Sequence, residues 1–388
     1  MSSSIACSSF PALCVGPVNK KEIGGSLAGK KVDFAIAYSW AERARDITLI
    51  VLKILILPWG IIEGVRYLLG RVAMAMIYPA QSDLVKRYYT DFQAENTDQA
   101  RLQVFQNLRA KQYAVKHLIL EKRGVRYSAL IAGHQDYLSN GNWALQAVGN
   151  GGTAEAYLKH YADIYKAKKQ NVLIVNGPSV GRSQGTAVPS TIGDAQEVGI
   201  CFLEEVIKAK SITIAGYSLG GAAVGQAILQ HRFKKGIDYT VERNMTFDTL
   251  SNIVYSIVSR ASQSSFLGYM AAGLIHFCGL QIDSVAASKK LQELNIQEII
   301  IGATNHLSVR PTFSFRQEFI SSTNTVSKTS ELFRNDGVIP GEASLGNALV
   351  TQNITAHKSF IGLIGAVHSD KYQLVEDKEW MSEGFLAM

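Results

Sequence analysis

Cysteine is scarce: Cys7, Cys14, Cys201 and Cys278 are the only four in 388 residues. None forms a CxxC pair and none has a histidine at metal-ligand spacing, so neither a disulfide framework nor a zinc site is indicated, and a reducing compartment fits best. Proline is scarce as well, with 8 in the chain, which leaves little room for long linkers. Long runs of like charge are missing. The basic residues come in pairs such as Lys20-Lys21, Lys30-Lys31, Lys86-Arg87 and Lys122-Arg123, without an RNP, zinc-finger or basic-zipper pattern, and no nucleic-acid partner is expected. The first residues lack the cationic start and continuous apolar core of a secretory signal. Conventional export is not expected; the expected location is the cytoplasm or a membrane, peripheral or integral.

What is present is a globular composition, 47% hydrophobic and 18% charged, long enough for two domains or one large one with additions. The net charge of +7 is unevenly held. Residues 1–130 carry 18 Lys and Arg against 10 Asp and Glu, whereas the rest carries 21 against 22. That basic third contains the apolar stretch ITLIVLKILIL at 47–57, which Pro58 stops or kinks. Continued to Leu69 it reaches spanning length, but Lys53, Pro58, Glu63 and Arg66 would then lie in hydrocarbon, at about 2.5 kcal/mol or more per central charge. From Ile61 to Ile77 the apolar residues recur on one helical face, which suits a membrane interface or packing on the rest of the protein equally.

From about Tyr113 the texture changes. A hairpin pattern spans 116–133, strand-like runs follow at 142–148, 171–176, 211–216, 238–243, 297–302 and 360–366, and helical stretches separate several of them at 153–168, 191–208 and 219–230. Strands alternating with crossover helices predict an α/β chain with a mostly parallel, doubly wound sheet. The expected division is an N-terminal helical region, 1–112, with a possible membrane-associating segment at 47–77, and a sheet domain over 113–388. Residues 255–290 are apolar and are expected as a core helix, with a lid above the site as the alternative; His276 within them is expected to be buried and structural.

The sharpest chemical signal is Gly216-Tyr217-Ser218-Leu219-Gly220-Gly221, entered by a buried strand and left by an Ala-rich helix. GxSxG in that setting is expected to be a nucleophile elbow, the other reading being an ordinary glycine-rich strand-helix turn: in an elbow the serine occupies a tight turn, so its neighbours two residues away must be small. The hydroxyl then stands at a helix N-terminus, whose dipole favours developing negative charge. An earlier glycine loop, Gly149-Asn150-Gly151-Gly152, directly follows the strand ending at Val148; the other reading is a plain glycine turn. Asn176-Gly177-Pro178-Ser179-Val180-Gly181-Arg182 follows the next strand. Downstream, Asp336 lies in Asn335-Asp336-Gly337-Val338-Ile339-Pro340, and His368 closes the run Gly365-Ala366-Val367-His368.

Over residues 113–388 these segments together resemble the α/β-hydrolase superfamily, and, behind the apolar-basic N-terminal region, they also resemble the chlamydial CHLPS protein family. The resemblance implies an α/β-hydrolase fold and a probable serine hydrolase of no stated substrate. It places Ser218 as nucleophile, Asn150 and the Leu219 amide as oxyanion donors, Asp336 as acid and His368 as base, in the chain order serine, acid, histidine. Val148 stands where the superfamily usually has histidine in the glycine loop. Asp336 also lies far beyond the strand ending at Gly302, so Asp248 is kept as the alternative acid and His357 as the alternative base. The expected substrate is an acyl ester or thioester, lipid-like, with a membrane surface as the candidate partner and with no metal and no cofactor. The alternative is a catalytically inactive hydrolase-fold binding or effector protein.

Overall fold

The central strands read as nearly continuous apolar runs because both faces of their sheet are covered. The computed structural model describes residues 30–78, 94–304 and 343–364 apart from 353 and 355, together with 372–374 and 380–382. Nine strands form one sheet: β1 (Phe34–Ile36), β2 (Tyr113–Lys122), β3 (Val125–His134), β4 (Asn142–Ala147), β5 (Asn171–Val175), β6 (Ser211–Tyr217), β7 (Asp238–Asn244), β8 (Gln297–Thr304) and β9 (Lys358–Ile364). Their spatial order is β1-β2-β3-β5-β4-β6-β7-β8-β9. β3 runs antiparallel to both β2 and β5, and every other neighbouring pair is parallel. A separate ribbon pairs β10 (Tyr372–Leu374) with β11 (Trp380–Ser382). The mostly parallel, helix-covered sheet is an α/β-hydrolase fold, as expected.

Alternation along the strands divides the core in two. Leu145, Leu173 and Ile214 face a layer made by α5 (Pro189–Phe202), α6 (Leu219–Gln230) and α9 (Ser284–Glu293). Their neighbours Ala144, Val172, Ile174 and Ala215 face α3 (Ala94–Ala110) and α4 (Ala154–Ala167). The hairpin expected at 116–133 is β2–β3, turning through Arg123 and Gly124, both at positive φ.

Three elements from before residue 113 are built into this body. β1 extends the sheet beside β2, where Asp33 accepts from the Ile119 N–H (2.9 Å) and from Lys116 Nζ (2.7 Å). α3 buries Val104, Phe105 and Leu108, and its fully buried Arg101 is paired with Glu155 at the start of α4. α1 (Trp40–Leu55), started by a Ser39–Glu42 capping box, breaks at Ile56 into α2 (Leu57–Ile77), with Pro58 in the first turn of the new helix. The two helices approach closely at Gly60, where a Cβ would lie 2.5 Å from the Lys53 carbonyl. The end of α2 then enters the core: Ala73, Met74 and Tyr78 are buried against Leu219, Ala222 and Ala223 of α6.

Candidate active site

Ser218 joins β6 to α6 with φ +53° and ψ −122°, a backbone conformation that side-chain-bearing residues rarely adopt. The flanking glycines show why the turn closes. A Cβ on Gly216 would lie 2.6 Å from the Gly220 backbone, and one on Gly220 would lie 2.5 Å from the carbonyls of Ala147 and Val148. Larger residues would push the strand and the helix apart, and the serine would lose its position. The turn is held from β7, whose Asn244 carbonyl accepts the Ser218 N–H (2.8 Å). Ser218 therefore sits half-buried at the carboxyl end of the sheet and heads α6, whose first N–H groups have no intrahelical acceptor.

The glycine loop after β4 reaches the same place. Gly149 and Gly152 close a turn (3.0 Å), and Gly149 packs so tightly on Tyr217 that a Cβ would lie 2.9 Å from its ring. Asn150 and Leu219 line one cavity with Ser218. The Asn150 side chain, however, donates to the Ile77 carbonyl at the end of α2 (2.9 Å), which leaves its backbone N–H as the group with which it would serve an oxyanion. The loop after β5 is structural. Asn176 accepts from the Ala154 N–H (2.7 Å) and donates to Glu155 (2.9 Å), and Arg182 is paired with Asp98 of α3.

The register decides against His357. Tyr217, Asn244, Ile301 and Ile361 lie side by side across β6 to β9, all parallel, while His357 precedes Lys358 at the opposite end of β9. That puts it about 13 Å back along the strand direction and three strands over from the serine end. It is an exposed turn residue whose carbonyl accepts from the Glu298 N–H (2.9 Å), and it cannot act as the base. His368 follows β9 in the chain, at its carboxyl end, but it and Asp336 lie outside the described residues. Asp248 is described: it follows β7, is buried, and accepts from the Asn252 side chain (2.7 Å) and the Thr249 N–H. Burial pushes its carboxyl up to about 6, against the lowering effect of those two bonds. It is not part of the cavity lining.

The cavity above Ser218 has a volume of about 830 Å³. One arm is apolar, formed by Phe247, by Leu250, Ile253 and Val254 of α7 (Leu250–Ser262) and by Leu274 and Ile275 of α8 (Ser265–Phe277). The other is aromatic and polar. Tyr157, Tyr161 and Tyr165 project from α4, Tyr165 donates to Gln146 (2.8 Å), and Lys168 pairs with Glu242 (2.7 Å). The expectation of a core helix is corrected here. α7 and α8 form a hairpin capping the serine, in which α8 buries only Gly268 and Ile275, and His276 is exposed rather than buried. Sequence reasoning also missed Ala73 and Ile77 of α2 in the wall; the Tyr157-Tyr161-Tyr165 spacing of four, one helical face, was the available signal for the second arm.

Among the described residues, Glu197, Cys201 and His231 bring ligand-type atoms within 4.8 Å of one another. Each already has another role. Glu197 pairs with Lys122, His231 Nε2 lies 2.8 Å from Glu204, and burial pushes the Cys201 thiol up to about 12, which disfavours a thiolate ligand. None of the three lines the cavity, and the group reads as a partly buried polar network between α5 and the end of α6.

The family model described as Chlamydia CHLPS protein (DUF818) matches residues 27–335, well over half of the chain. The chain belongs to that family. No curated protein matches its sequence. Similar solved structures include an esterase of Pyrococcus furiosus, 13% identical, with a TM-score of 0.44 and covering 66% of this chain and 83% of the other. An α/β hydrolase of Vibrio vulnificus is 16% identical, with a TM-score of 0.46 and coverage of 74% and 88%. Carboxyl esterase 2 of Tuber melanosporum is 12% identical, with a TM-score of 0.41 and coverage of 66% and 79%.

Proposed function

We propose that this CHLPS-family protein is a serine hydrolase that cleaves acyl esters or thioesters, with Ser218 as nucleophile. The observation that carries the reading is the strained Ser218 turn at the head of α6, open to a cavity with an apolar arm. A structural glycine turn would have no need of a side-chain-bearing residue at φ +53°. In this reading the apolar arm holds the acyl group, and the polar arm receives the alcohol or thiol. His368 takes the Ser218 proton as the hydroxyl oxygen attacks the carbonyl carbon, and the backbone N–H groups of Leu219 and Asn150 stabilise the oxyanion. His368 then returns the proton to the leaving group, and water repeats the sequence on the acyl-enzyme to release the acid. Asp336 is the proposed acid that orients the imidazole, because the Asp248 carboxylate is already engaged by Asn252 and Thr249 at the start of α7.

An alkyl fluorophosphonate probe tests these roles together. The full-length protein is expected to label at Ser218 and the Ser218→Ala variant not at all. Asp336→Asn should slow labelling by roughly 10³- to 10⁴-fold, as loss of the orienting carboxylate does in other triads, whereas Asp248→Asn should leave the rate near that of the parent. An unlabelled parent protein would favour the catalytically inactive binding or effector reading instead. Slow labelling of Asp248→Asn with a normal rate for Asp336→Asn would reverse the choice of acid.

A further inference from the structure

Nearly all the exposed large apolar side chains among the described residues lie on α1, α2 and α8. On α2, Leu68 is 64% and Val72 61% exposed; on α8, Phe266 is 68% and Met270 61% exposed. The two helices touch. Gly70 approaches Cys278, and Arg66 of α2 donates to the Phe277 carbonyl at the end of α8 (2.5 Å) and lies over the Phe277 ring. Their apolar surfaces are therefore continuous. The same helices wall the Ser218 cavity, through Ala73 and Ile77 of α2 and Ala271, Leu274 and Ile275 of α8.

α1 identifies what covers this surface. Ile47 to Leu52 are six consecutive exposed residues, five of them apolar, so the apolar side chains point in every direction around the helix. A protein partner or a second copy would bury one side of such a helix and leave the rest in water. A fluid acyl layer would surround it. The charges around the patch fit an anionic surface. No acidic residue occurs between Asp248 and Asp283 or between Glu63 and Asp83, Glu63 is neutralised by Lys53 (2.9 Å) and Arg66 (2.6 Å), the two acids of α1, Glu42 and Asp46, are paired with Arg123 (3.5 Å) and Arg45 (3.3 Å), and Arg71 and Arg260 are exposed. None of the described helices is long and apolar enough to cross a membrane. At about 24 Å, α1 is also shorter than a hydrocarbon core of about 30 Å.

We propose that α1, α2 and α8 seat the protein on an anionic lipid bilayer, lying in its interface, with the Ser218 cavity opening at that surface. Exposed apolar helices rimmed by arginine supply the two attractions that interfacial helices use, acyl burial and anionic headgroups. The supply of an acyl substrate from the lipid layer rests on the hydrolase reading above; the binding itself does not.

Flotation of the full-length protein with vesicles tests the proposal, comparing phosphatidylcholine alone with phosphatidylcholine containing phosphatidylglycerol. The protein should float with the mixed vesicles and only weakly with the neutral ones. The double variant Ile50→Asp, Leu68→Asp should float at least about tenfold less, because it places charge within the acyl contact, while its melting temperature stays at the parent value since both positions are exposed. Ser218→Ala should float like the parent. Equal flotation of the double variant, or no flotation of the parent, would overturn the proposal. So would a dimer in solution that the two aspartates dissolve without vesicle binding, which would assign the face to a second copy. Flotation of a parent protein that takes no fluorophosphonate would overturn the hydrolase reading and leave the lipid surface standing.

Discussion

Ser218→Ala and Ser218→Gly should each lower ester turnover by about 10⁴- to 10⁶-fold, the loss seen when a triad nucleophile is removed. The two variants should differ in stability. Ser218 is held at φ +53° and ψ −122°, and a residue with a Cβ in so sparsely populated a conformation costs of order 1–3 kcal/mol. Alanine keeps that cost. Glycine removes it, but gives back about 0.4–1 kcal/mol through the greater freedom of the unfolded chain. Ser218→Gly should therefore be more stable than the parent by about 1 kcal/mol, and Ser218→Ala should be close to the parent. Turnover of a short p-nitrophenyl ester and thermal melts of the three proteins provide the comparison. Undiminished turnover in Ser218→Ala would remove the serine from the chemistry. A glycine variant that melts below the alanine variant would show that the turn stores no strain.

The parts of this molecule that were legible in the sequence are those where one local requirement dictates the residue. Only small residues fit two places either side of Ser218, because their neighbours are backbone atoms at about van der Waals contact or closer, so the elbow announces itself. Strands β4, β5 and β6 are buried on both faces and read as short apolar runs punctuated by glycine. Periodicity cannot say what covers an apolar face, so the stripe at 255–290 looked the same as a core helix and as a cap. The three residues of β1 are too few to carry a pattern, and its place in the sheet depends on Asp33 reaching strand β2. The order of the two histidines around the run at 360–366 already favours His368, and the parallel register adds that His357 lies at the end of β9 remote from Ser218. The bond from Asn150 to the end of α2 joins residues 73 positions apart, and no local rule anticipates it.

The other large effect is expected at Glu298, where a buried charge is answered from two neighbouring strands. Its carboxylate accepts from Arg243 Nε of β7 (2.7 Å) and from Lys358 Nζ of β9 (2.6 Å), and all three side chains have no exposure. Ser288 of α9 adds a donor to the carboxylate (3.0 Å) and accepts from Arg243 (2.6 Å). Burial alone would push the Glu298 carboxyl up, but Arg243 and Lys358 outweigh it and hold the group below its ordinary range. Glu298→Ala leaves two buried cations facing each other without an anion, and should destabilise the fold by about 3–5 kcal/mol. Replacing all three with Leu or Met of similar volume should recover much of that loss, since the cost lies in the unanswered charge. The pH dependence has a definite sign. With a depressed pKa in the folded state, the unfolded chain binds more protons, so the contribution of Glu298 is in place above the ordinary carboxylate range. It is lost as the pH falls through the lower folded value. Thermal melts from neutral pH down into the acid range should show the parent losing more stability than Glu298→Ala. A Glu298→Ala variant melting within a degree or so of the parent at neutral pH would refute the argument. Under the proposed hydrolase reading the network would also bear on turnover, because β8 and β9 are the strands whose carboxyl ends lead in sequence toward Asp336 and His368. A variant still folded at low temperature should lose hydrolase turnover before it loses the flotation that depends on α1 and α2.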